Sequence, residues 1–140
     1  MIVVTRICLL AVGIDNKQDF LRKLPVKTIR VSFGNEAISS FKNNRVGLII
    51  SPWNLPDMPD GKLLKGIKKI KPDMPIIAVI DEDDISSEIQ ARSLGVSAVI
   101  TQQSGDELLI ELVSEILGID KYLDLDSHFV NEENSNIQNQ

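Results

Sequence analysis

Five short runs rich in Ile, Leu and Val, alternating with stretches of helical periodicity, constrain this chain's fold more than any other feature. The runs are Ile7–Val12, Val26–Phe33, Val46–Ser51, Ile76–Ile80 and Val96–Thr101. A strand that is apolar at successive positions is buried on both faces, and such strands belong to parallel sheets covered by helices. The second run differs, because Lys27 and Arg30 interrupt it and place it toward an edge. Amphipathic spacing predicts the intervening helices. Asp15–Leu24 carries Phe20, Leu21 and Leu24 on one face, and Pro25 closes it. Gly34-Asn35 turns the chain, and Asn35 is placed to cap a short helix over Glu36–Lys42. Lys62–Lys71 has Leu63, Leu64, Ile67 and Ile70 as its buried stripe. Ile85–Leu94 ends at Gly95. A capping box, Ser104 with Glu107, starts the last helix, which turns Leu108, Leu109, Leu112, Val113 and Ile116 inward and stops at Gly118. Strict alternation predicts a (βα)5 chain, an open doubly wound parallel sheet of flavodoxin-like type with right-handed connections.

A length of 140 residues suits one domain, assigned to residues 1–119, with 120–140 as an acidic polar tail. Aromatic residues make up 4% of the chain, so the core rests on aliphatic side chains. Cys8 is the only cysteine and His128 the only histidine, which excludes a disulfide framework, a Cys-rich zinc site and a histidine triad within the chain. Cys8 reads as a core residue. Residues 1–119 hold 14 Lys/Arg against 15 Asp/Glu, while the tail sets Lys121 against Asp120, Asp124, Asp126, Glu132 and Glu133. Neither part is the basic footprint that nucleic acid requires. No run nears the roughly 20 apolar residues needed to cross a membrane. Ile7–Ile14 lacks the flanks of a secretory signal, since Asp15-Asn16-Lys17 follows it. The expected location is the cytoplasm. The final ten residues read as disordered, unless Tyr122, Leu123 or Phe129 packs back on the domain.

Val46–Leu64, reading VGLIISPWNLPDMPDGKLL, resembles the third strand, loop and third helix of a response-regulator receiver domain. Pro72–Ile80 and Ala91–Ile100 resemble the receiver's fourth strand, fourth helix and fifth strand. Receivers transfer a phosphoryl group to an aspartate at the end of the third strand, with Mg²⁺ held by carboxylates after the first. A hydroxyl after the fourth strand and a lysine after the fifth bind the phosphoryl oxygens. In this chain the nucleophile position falls on Pro52, or on Ser51 if the alignment moves by one. The acid pair falls on Ala11 and Val12, the hydroxyl on Ile80, the lysine on Gln102 and the aromatic switch on Val99. The resemblance therefore implies a receiver scaffold with a vacated site, needing neither metal nor cofactor, and not an enzyme.

Two functions follow from that expectation. The first is a non-phosphorylatable adaptor in two-component signalling that binds a protein partner, or a second copy, through the fourth helix, fifth strand and fifth helix. The resemblance implies a face built around Ile89, Gln90, Ser93, Val99, Glu107 and Glu111. The alternative is a sensor in which a small molecule or metal replaces phosphate, in a crevice formed by Asp15, Ser51, Trp53 and Asp81. Carboxylates at such positions more often cap helices, as Asp15 and Asp83 or Asp84 are placed to do. Trp53 reads either as a plug of the vacated pocket or as an exposed partner contact. The lysines at 62, 65, 68, 69 and 71 read as a solvated helix face rather than an anion site.

Overall fold

The apolar runs become inner strands because side chains alternate across a strand, and both sides find helices to pack on. The structure, a computed structural model, describes residues 7–14 and 24–119. Its strands are β1 (Cys8–Val12), β2 (Lys27–Val31), β3 (Val46–Pro52), β4 (Ile76–Ile80) and β5 (Ala98–Thr101). All are parallel, in the order β2-β1-β3-β4-β5, which is the flavodoxin-like arrangement expected from the sequence. The described helices are α1 (Gly34–Asn43), α2 (Lys62–Ile70), α3 (Ile85–Leu94) and α4 (Asp106–Leu117). The expected helix over 15–24 lies outside the described residues except for Leu24, which is buried.

β1 and β4 are buried at every position, whereas β2 exposes Lys27 and Arg30 at the sheet edge. Leu10 and Val12 share one core layer with Ile49, Ala37 of α1, Leu63, Leu64 and Ile67 of α2, and Ala91 of α3. Leu9 and Ala11 share the opposite layer with Leu48, Ile50, Ile77, and Leu109 and Val113 of α4. Period-two alternation thus assigns α1, α2 and α3 to one face and α4 to the other. Cys8 is buried in β1.

Several local expectations are corrected. Helix α1 begins at Gly34 with Phe33 as its N-cap, so Asn35 lies inside the first turn, where its Oδ1 still accepts one helix amide, that of the adjacent Glu36 at 2.8 Å. Gly105, not Ser104, is the N-cap of α4, and Ser104 Oγ accepts the Thr101 amide at 3.1 Å. β5 starts at Ala98, because the Val96 amide closes the end of α3 on Ala91 O and Gly95 takes the left-handed conformation at φ 91°. Ile70 and Leu108, read as inward-facing, are 54% and 43% exposed. Both sit beside a helix terminus, where the apolar stripe runs past the edge of the sheet.

Candidate functional site

The carboxyl ends of parallel strands form a crevice where doubly wound folds bind ligands. Here the crevice has a volume of about 410 Å³, and Gly13, Pro52, Asn54, Ile80, Asp81 and Gln102 are among its lining residues. Of the ionisable side chains, the described lining includes only Asp81. Among the described residues no cluster of His, Cys, Asp or Glu could hold a metal ion. Ala11 and Val12, at the end of β1, are buried among aliphatic side chains in opposite layers. Asp15 lies outside the described residues.

Ser51 is not part of the crevice. Its side chain is 0% exposed, and its Oγ donates to Pro52 O at 2.9 Å, so it meets no incoming ligand. The end of β3 is closed by Pro52, whose ring offers neither an acid nor a donor.

Trp53 is 1% exposed, and its ring lies in the core layer of α1, α2 and α3. An exposed contact is thereby excluded: Trp53 borders the crevice, and its ring fills space in the core beside it. The ring is roofed by the backbone of Gly61 and by Lys65, whose Nζ stands 5.6 Å from the ring centroid. Below this roof the loop is held by its own polar groups. Asn54 Oδ1 accepts the Asp60 amide at 2.6 Å, and Asp60 takes the left-handed conformation at φ 59°, which Asp tolerates better than most residues.

Asp57 has a role that local sequence signals did not disclose. Its two carboxylate oxygens accept the Gly34 and Asn35 amides, at 2.9 and 3.0 Å, so it caps α1 from 23 residues away. The cap position of α1 itself is Phe33, whose side chain has no acceptor. The only local clue was the absence of Ser, Thr, Asp or Asn at position 33. The Gly34 hydrogen bond holds the Asp57 carboxyl below its ordinary range, outweighing the opposing effect of desolvation, and the Asn35 hydrogen bond adds a smaller lowering. A group with a depressed folded pKa adds stability above its unfolded pKa and loses it as pH falls through the folded value. Asp57→Asn, with one acceptor oxygen in place of two, is therefore less stable than the parent at neutral pH. That difference narrows below the ordinary carboxylate range, as read from urea midpoints between neutral and acid pH.

Asp84 caps α3 locally, as expected. Its oxygens accept the Ser87 hydroxyl at 2.6 Å and the Ser87 amide at 3.1 Å, and these bonds, in that order, lower its pKa. Asp84 is thus committed to the helix and does not face the crevice lining.

A family model for the response regulator receiver domain matches residues 14–114. The chain belongs to that family. The chemotaxis protein CheY homologues of three Campylobacter jejuni strains are 34% identical to this receiver over 79 residues, which is 55% of the chain. The match spans 61% of the length of those relatives. Among solved structures, a CheY-like receiver domain of Methanospirillum hungatei superposes with a TM-score of 0.72 at 20% identity, covering 84% of this chain and 99% of that one. The chemotaxis protein CheY4 of Vibrio cholerae gives 0.70 at 19% identity, covering 80% and 99%. At these identities the likeness is one of fold.

The residues expected on the interaction face occupy several surroundings. Ile89, Gln90 and Ser93 turn toward α2, where they line a groove with Lys65, Lys68 and Lys69. Glu107 and Glu111 stand exposed on α4, and Val99 is half-buried in β5 against the α1–α3 layer.

Proposed function

We propose that this receiver domain is not phosphorylated and acts as an adaptor, transmitting signals in a two-component pathway by protein contact. One observation carries the reading: Pro52 closes the end of β3, where the family's chemistry requires a nucleophilic carboxylate. Phosphoryl transfer to the domain needs that carboxylate in line with phosphorus, and Mg²⁺ to neutralise the equatorial oxygens. The other vacated positions agree: Ala11 and Val12 are buried and apolar, Ile80 replaces the hydroxyl, and Gln102 replaces a fixed cation. A neutral amide at 102 accepts and donates hydrogen bonds but brings no charge to a phosphoryl group.

With no phosphoryl switch, the adaptor acts through surface contacts that need no modification of the crevice. We place partner contact on the outer side of α3, β5 and α4, with Val99, Glu107 and Glu111 on the α4 side and Ile89, Gln90 and Ser93 on the α2 side. A second reading draws on the open crevice of about 410 Å³, a size within the range of small-molecule sites. There a ligand held by Asn54, Asp81 and Gln102 would take the place of phosphate as the input.

One experiment separates these readings. The protein is incubated with acetyl phosphate and Mg²⁺ and analysed by intact-mass spectrometry, alongside a thermal-shift screen of nucleotides, metals and metabolites. The adaptor reading expects an unchanged mass and an unchanged melting temperature. A stoichiometric phosphoryl adduct overturns it, and a saturable rise in melting temperature with one ligand transfers the assignment to the sensor.

A further inference from the structure

The groove between α2 and α3 combines two chemistries that seldom share an unoccupied surface. Its volume is about 550 Å³, its floor is apolar, with Ile89 and Leu94, and its rim carries Lys65, Lys68 and Lys69. Ile89 is 60% exposed, a large apolar side chain left in water. Among the described residues no carboxylate forms an ion pair with the three lysines; Lys68 Nζ donates to Pro72 O at 3.0 Å, which leaves its charge uncompensated. A fitting occupant is acidic and carries apolar side chains at short spacing.

The chain contains such a segment. Leu125 and Phe129 are four apart, as on one face of a helix, and Asp124, Asp126, Glu132 and Glu133 stand before, between and after them. Its point of departure is also favourable. Helices that cover a parallel sheet run opposite to the strands, so the last turns of α2, α3 and α4 open at one edge of the sheet. Lys69 and Leu94 sit in two of those turns, and Ile119 follows the third, beside Ile7 and Val26 at the strand starts. Passing from the α4 layer around the sheet edge to the α2–α3 layer covers two layer spacings of about 10 Å each. Roughly six extended residues span that distance, which brings Leu125–Val130 to the groove. Tethering also supplies an effective concentration on the order of millimolar, so weak contacts suffice.

We propose that the acidic segment Asp124–Glu133 docks in cis into the α2–α3 groove, with Leu125 and Phe129 against Ile89 and Leu94 and its carboxylates among Lys65, Lys68 and Lys69. Docked there, the segment covers Ile89, Gln90 and Ser93, and any partner using that side must displace it. The inference does not depend on the state of the crevice.

The test uses the full chain with a nitroxide attached at Ser127→Cys, since Cys8 is buried and does not react. In a ¹⁵N-enriched sample, the amide signals of Ile89, Gln90, Ser93 and Leu94 lose most of their intensity, and reduction of the nitroxide restores it. The charge reversals Lys65→Glu, Lys68→Glu and Lys69→Glu, made together on exposed Lys65 and Lys69 and half-buried Lys68, abolish the loss while leaving the remaining spectrum in place. The reversals Asp124→Lys and Asp126→Lys do the same from the other side, so a folding defect in one variant does not decide the result. Unaffected groove signals, or broadening centred elsewhere, overturn the proposal. A mixture of labelled, unenriched chain with enriched, unlabelled chain shows no broadening if docking is in cis. Broadening that needs the mixture assigns the groove to a second copy and overturns docking in cis.

Discussion

Replacing Trp53 by alanine lowers stability by about 3–5 kcal/mol, the cost of removing a large aromatic from a packed core. The indole is 1% exposed and joins the α1–α3 layer with Leu55, Leu63 and Leu64, so nothing nearby collapses easily into the cavity. Its Nε1 meets no acceptor among the described residues, so Trp53→Phe gives up ring volume but no hydrogen bond and loses less. Urea unfolding followed by circular dichroism measures both variants. A domain with the usual 5–15 kcal/mol of stability loses a large share of it in the alanine variant. An unchanged midpoint would mean that the ring is not in the core.

Gly61→Ala is the second large effect, expected at about 2–5 kcal/mol from two costs that add. Gly61 has φ 69°, a left-handed conformation that costs an L-residue roughly 1–2 kcal/mol. A Cβ there would also run into the six-membered ring of Trp53, a rigid fused system that cannot step aside, and such overpacking costs about 1–3 kcal/mol. The Gly61 amide donates to Trp53 O at 2.8 Å, so backbone movement away from the ring strains that bond too. The two sites touch, and their effects are therefore not additive. Combining Gly61→Ala with Trp53→Ala gives a smaller loss than the sum of the singles, because removing the ring removes the clash. A double-mutant cycle on urea midpoints reads this directly, and strict additivity would separate the glycine from the ring.

The two variants bear on function as well as stability. Loop 53–61 joins the crevice, through Trp53, Asn54 and Leu55, to α1, through the Asp57 cap. A destabilised loop would therefore disturb the crevice rim and the start of α1 together. Lys65 belongs to the same unit, since it stands over Trp53 on one side and borders the α2–α3 groove on the other.

What the sequence determined by itself was local and periodic. Uninterrupted aliphatic runs are buried on both faces, and so β1, β3 and β4 were legible as inner strands. Lys27 and Arg30 cannot be buried unpaired, which marked β2 as an edge. Asp84 and Gly95 delimit α3 through bonds within one turn of themselves, so both ends of that helix were read correctly. Pro52 was legible at the end of β3 because a strand's end and a residue's chemistry are both one-dimensional facts. Tertiary structure alone decided the rest, since those features depend on residues far apart in sequence. The cap of α1 comes from Asp57, because the N-cap residue Phe33 has no side-chain acceptor and the neighbouring loop supplies one. Ser51 faces the interior instead of the crevice, since a one-residue step along a strand reverses the side chain. Trp53 turned inward because Gly61 leaves room for its ring, and Ile89, Gln90 and Ser93 faced α2 because the rotation of α3 is set by packing against the sheet. Periodicity tells which residues share a face; only the contacts across the core tell what that face meets.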